Sequence, residues 1–201
     1  MKEWRGLWLP DGEKHLTEWM QKHDVIVDGK PAYQYNKIQA ALLLVENFGT
    51  AIDVGAHCGL WSMHLHKFAN VHAFEPVADH RECFQMNCPG VPVYPYALGS
   101  ESKMVSIETT EGSSGNSYVT EGNTVEMRTL DSFGLKCDFM KIDCEGYELD
   151  VLKGATETLG KVVIVEQKSD RFGRKTAALE FLKDLGYTLK QVINGDYLLL
   201  R

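Results

Sequence analysis

A chain of 201 residues with 44% hydrophobic and 24% charged side chains can bury one full-sized core, which excludes a disordered polyelectrolyte. The longest apolar run, Ala40–Val45, stops at Glu46, far short of the ~20 residues of a membrane-spanning helix, so no membrane partner is expected. Twenty-one basic against 28 acidic residues give a net charge of −7, which argues against a nucleic-acid partner bound through its phosphates.

The opening MKEWRGLWLPDGEKH lacks the uninterrupted apolar core of a signal peptide, and five cysteines are an odd number. Both fit a cytoplasmic protein with free thiols. The first 48 residues read as helical and irregular, a cap segment (1–48) belonging to the same domain as residues 49–201. Within it, KIQAALLLVENFG forms an amphipathic helix stopped by Gly49. Strands and helices then alternate. TAIDVG (50–55) is a strand, 58–69 a helix, NVHAFEP (70–76) a strand and 78–88 a helix. VPVYPYALG (91–99) is a strand that its prolines make irregular. Residues 102–110 and 124–130 carry the two-residue period of a hairpin, and EGSSGNS (111–117) between them reads as a mobile loop over the site. CDFMKIDCEG (137–146) is a strand ending in acids, followed by a short helix, the strand KVVIVEQ (161–167) and a helix over 176–186. Two strands joined by Asn194-Gly195 close the chain. The fold class expected is α/β: a doubly wound, mostly parallel seven-stranded sheet, Rossmann-like, with a terminal antiparallel strand.

AIDVGAHCGLW is the strongest local signature. Asp53 ends a strand, Gly55 permits a tight turn, and Gly59 allows close helix packing. Glu75 lies twenty residues beyond Gly55 at the end of the next strand, the spacing of a carboxylate that grips a ribose. His57 stands where a dinucleotide site needs a second glycine for its pyrophosphate. Asp143 and Glu145 end a strand expected to neighbour that of Asp53. Like charges at ~4 Å cost on the order of 4 kcal/mol near a protein surface, so this ring of acids disfavours a nicotinamide dinucleotide and favours the cationic S-adenosylmethionine.

DVGAHCG (53–59), HAFEP (72–76), YALGS (96–100), MRTLDSF (127–133) and above all MKIDCEGYELDVLKGA (140–155) resemble the FkbM-type methyltransferases over about residues 30–190. The resemblance implies a class I methyltransferase with sheet order 3-2-1-4-5-7-6, acting on hydroxyl oxygens of sugars or polyketide-type products. It places Asp53, Gly55 and Gly59 at the methionine end of the cofactor, Glu75 at the ribose, and Ala97 and Leu98 against the adenine, with His57 and Pro76 as further cofactor-binding residues. Asp143 and Glu145 would face the transfer centre, Asp143 also touching the cofactor. His57 departs from the asparagine usual in the family.

Asp143, Glu145 and Glu166 are the catalytic candidates, since a hydroxyl acceptor needs a base within reach. Glu145 has a second reading as a helix cap. The histidines and cysteines lack zinc-site spacing, whereas Asp143 and Glu145 leave a divalent ion open. The expected partner is a small hydroxylated acceptor, a sugar or sugar-bearing metabolite. N-methylation and a non-catalytic cofactor-binding homologue are the alternatives.

Overall fold

The computed structural model describes residues 1–45, 49–110, 112–167, 173 and 176–201. Its centre is a seven-stranded sheet: β1 (Thr50–Val54), β2 (Asn70–Phe74), β3 (Val93–Tyr94), β4 (Phe139–Ile142), β5 (Val162–Val165), β6 (Thr188–Ile193) and β7 (Asp196–Leu200). The order is β3-β2-β1-β4-β5-β7-β6, and only β7 runs antiparallel to the rest. Expected class and order are both found. Ile142 lies beside Val54, so Asp53 and Asp143 issue from adjacent strands at the point where the strand order reverses.

The strands β1, β2, β4 and β5 are mostly apolar because both faces of the sheet are covered there, and alternate residues feed two cores. Ile52, Val54, Phe74, Met140, Ile142, Val163 and Val165 pack against α5 (Glu148–Lys153) and α6 (Ala177–Asp184) through Val151, Leu152, Leu179 and Leu182. Ala51, Val71, Ala73, Phe139, Val162 and Ile164 face Ile38 and Ala41 of α2 (Tyr35–Leu42), Leu65 of α3 (Ser62–Leu65) and Phe84 of α4 (Ala78–Asn87). A third cluster joins Leu7, Leu9, Leu16 and Met20 to Cys58, Leu60 and Cys83.

Several elements differ from expectation. The N-terminal segment holds α1 (His15–His23) and α2 but also two small hairpins, Lys2–Trp4 with Leu7–Leu9 and Ile26–Val27 with Lys30–Pro31. The helix expected to run to Gly49 ends at Leu42, and its residues 46–48 lie outside the described ones. The helix expected over 58–69 contracts to Ser62–Leu65, because Gly59 is left-handed at φ +84° and the preceding residues form turns. The strand expected over 91–99 divides at Pro95, which has no N–H to donate, and Ala97–Leu98 leaves the main sheet to pair in parallel with Met127–Arg128. The partner of Lys103–Thr110 is a 16-residue strand, Ser113–Arg128, with breaks in register between Ser113 and Tyr118 and between Thr120 and Val125. Residues 113–117 thus belong to a strand, pinned by Asn116 and Ser114 hydrogen bonds. Glu111 of the expected loop lies outside the described residues.

Candidate active site

A cavity of about 260 Å³ opens at the carboxyl ends of β1, β2, β4 and β5, where ligands bind in doubly wound sheets. One half is built by the β1 turn. Gly55 has φ +71°, and a Cβ there would lie 1.9 Å from the backbone oxygen of Asp143, so only glycine lets the two strand ends meet. His57 takes the left-handed conformation that glycine favours, with φ +50°. Its backbone N–H donates to Glu75 Oε2 at 2.8 Å. The ring reaches Ser114 Oγ at 2.8 Å and Cys58 Sγ at 3.1 Å, and sits 4.1 Å from the ring of His80. Burial first, then His80, push the His57 pKa down to about 3, so the imidazole is neutral. Ser114 also donates to Glu13, which joins the N-terminal segment, the long strand and the glycine turn in one seam.

Glu75 is 5% exposed and lines the cavity. Besides His57, it accepts from Val77 N at 2.9 Å and His80 Nδ1 at 3.2 Å. Desolvation raises its pKa, but His80, His57 and the Val77 N–H outweigh it, and Glu75 is held below the usual carboxylate range. Arg81 donates to the carbonyls of Glu75 (2.9 Å) and Pro76 (2.6 Å), fixing the loop. Pro76, Ala97 and Leu98 complete an apolar wall beside this carboxylate. A buried, ionised acceptor next to an apolar slot fits a nucleoside: the carboxylate suits a diol and the slot suits a base.

The other half centres on the ends of β4 and β5. Asp143, Glu145 and Glu166 bring one carboxylate oxygen each to within 4.8 Å of one another. Glu145 is left-handed at φ +53° and Gly146 follows at φ +97°. Glu148, not Glu145, closes this turn by accepting from Cys144 N at 2.9 Å and Gly146 N at 3.1 Å. Burial first, then the neighbouring Asp143 and Glu148 charges, raise the Glu166 pKa to about 9, so Glu166 keeps its proton at neutral pH.

Two expected cofactor residues stand behind the cavity. Asp53 is 0% exposed and accepts from Ser62 Oγ at 2.7 Å. Gly59 admits Phe84 and Cys88, whose atoms would lie 2.9 and 2.6 Å from a Cβ there. Their part is to shape the turn rather than to line it. The expected ring of bare carboxylates is also interrupted. Lys141, 5% exposed, places Nζ 3.3 Å from Asp53 Oδ1 and 3.8 Å from Asp143 Oδ2 and donates to Gly55 O at 2.7 Å. Desolvation works against its charge, but Asp53 and Asp143 prevail and raise its pKa. Lys141 sits in a four-residue strand, Phe139–Ile142, flanked by Asp138 and Asp143, and a lysine in such a setting is a signal of a buried ion pair. Asp196, which the sequence does not point to, and Tyr33 line the same half. Burial raises the pKa of Asp196 despite its bond to Lys37.

The comparisons with known proteins agree with this geometry. Residues 53–189 match the methyltransferase FkbM domain family. The hexuronic acid methyltransferase AglP of Haloferax volcanii is 34% identical over 128 residues, 57% of this chain and 54% of that protein, so the match spans about half of the relative's length. Among solved structures, a ribosomal protein L11 methylase from Lactobacillus delbrueckii subsp. bulgaricus superposes with a TM-score of 0.55 at 13% identity, over 84% of this chain and 80% of that one. The magnesium protoporphyrin IX methyltransferase of Synechocystis PCC 6803, solved with bound S-adenosylmethionine, gives 0.52 at 12% identity, over 83% and 77%. At such identities the structures show the fold alone, and the family match supplies the chemistry. The chain belongs to the FkbM methyltransferase family.

Proposed function

We propose that this enzyme methylates a hydroxyl oxygen of a sugar or sugar-bearing small molecule, with Asp143 as the proton acceptor. The observation that carries the reading is the meeting of Asp143, Glu145 and Glu166 at the cavity end away from Glu75. The Haloferax relative, named for a hexuronic acid, supports a sugar acceptor. Gly55, His57, Glu75, Pro76, Ala97 and Leu98 would hold the cofactor, which supplies an electrophilic methyl group when bound. Asp143 and Glu145 receive the acceptor. Clustered carboxyl groups suit the hydroxyls of a polyol, which donate to them. The protonated Glu166 donates a hydrogen bond to its neighbour Asp143. Asp143 is thereby turned toward the hydroxyl whose proton it takes, and Lys141 holds it from behind.

The test is methyl transfer from labelled cofactor to a panel of sugars, followed by location of the methyl group on oxygen or nitrogen. Asp143→Asn should lower turnover by roughly 10²–10⁴-fold while cofactor affinity stays within a few-fold. Turnover near that of the unaltered enzyme would rule out Asp143 as the proton acceptor. A methylated nitrogen in the product would replace the hydroxyl acceptor by an amine. Loss of activity with chelator, restored by magnesium, would make Asp143, Glu145 and Glu166 ion ligands that acidify the hydroxyl.

A further inference from the structure

The cavity does not end at its acidic corner. Val119, Glu145 and Tyr147 are walls shared with a second groove of about 600 Å³, which runs on between the 103–105 and 118–122 strand segments. The break in register after Thr120 frees residues 121–124 from pairing, and such irregularities re-aim side chains beside sites. Tyr118 lines this groove and is 45% exposed, with its hydroxyl donating to Glu108 Oε2 at 2.9 Å. An aromatic ring so anchored is a stacking surface that costs little conformational entropy to use.

Charge narrows the occupant. The groove's cation, Lys103, is paired with Glu101 at 2.8 Å, while Glu121 and Glu145 bring carboxylates. Asp143 and Glu166 lie just beyond the shared wall. This field opposes a diphosphate or a uronate and suits an uncharged polyol, whose ring face meets an aromatic and whose hydroxyls meet carboxylates.

Building on the O-methylation reading above, we propose that the groove binds a second, neutral sugar unit. The acceptor is then the terminal ring of a glycoside of two or more units, rather than a free monosaccharide or a sugar nucleotide.

The experiment compares kcat/KM for methyl glycosides of neutral hexoses, the matching neutral disaccharides, hexuronates and nucleoside-diphosphate hexoses. A disaccharide should exceed its matching monosaccharide by about tenfold, the scale of one aromatic contact. Tyr118→Ala should collapse that ratio, and Tyr118→Phe, which keeps the ring and loses only the bond to Glu108, should preserve it. Equal kcat/KM for the two lengths, a ratio that Tyr118→Ala leaves unmoved, or a hexuronate or nucleoside-diphosphate hexose as the best substrate would overturn the groove while leaving hydroxyl methylation intact. Methylation of no hydroxylated acceptor by enzyme that still binds S-adenosylmethionine would overturn both.

Discussion

The two halves of the cavity handle buried carboxylates in opposite ways. At Glu75, three donors converge on one side chain, and the charge survives burial with its pKa lowered. At Glu166, burial comes with more acids, and the pKa rises to about 9. The same side chain is thus a fixed anion in one half and a proton-bearing acid in the other. The cause is the neighbourhood: backbone N–H groups and a histidine in the first case, Asp143 and Glu148 in the second. On the proposed function, the first suits a cofactor, which wants a constant acceptor, and the second suits a substrate hydroxyl, which wants groups that exchange protons.

Lys141 lies beside both Asp53 and Asp143, and its removal should break the comparison most severely. Lys141→Met would leave Asp53 buried without its cation. Stranding one partner of a buried pair costs about 3–5 kcal/mol, which thermal or denaturant unfolding would register. A loss below about 1 kcal/mol would show that Asp53 is satisfied by Ser62 alone.

Glu75→Ala comes next. Losing a charged hydrogen bond of about 1.5–3 kcal/mol should raise the dissociation constant for S-adenosylmethionine roughly ten- to a hundredfold, measured calorimetrically. Unaltered affinity in a folded variant would detach Glu75 from the cofactor and reduce its three bonds to loop closure.

Glu166 sharpens the other side. The folded pKa of Glu166 is raised from 4.5 to about 9, so between those values the folded state holds a proton that the unfolded state has released. Its contribution to stability is therefore present below pH 4.5, declines as the pH rises and levels off above about 9. Glu166→Gln should flatten that decline relative to the unaltered enzyme. Parallel pH–stability profiles would mean that Glu166 ionises in place.

These contrasts also mark what the sequence could disclose. The sheet was readable because strand runs, the Gly55 turn and the Asn194-Gly195 hairpin are local patterns, and one strand order accommodates them. Glu75 was readable by spacing. The three donors on Glu75 were not, since His80 and Val77 become donors only once α4 starts where it does. Lys141 required knowing that β4 is buried on both faces. The Asp28-Gly29 turn of the second hairpin, with φ +50° and +77°, carried a usable signal, because Asp-Gly is a favoured pair in two-residue hairpin turns. The seam of Glu13, Ser114 and His57 joins residues 101 and 57 positions apart, beyond any local pattern.

The bond between Lys37 and Asp196 spans 159 residues, and both side chains are buried. A lysine cannot be buried economically before its counter-charge arrives. The pair therefore ties α2 to β7, the strand between β5 and the edge strand β6, and losing either partner would strand a buried charge at that junction. Two segments far apart in sequence are thus latched together across one sheet by a single pair of opposite charges.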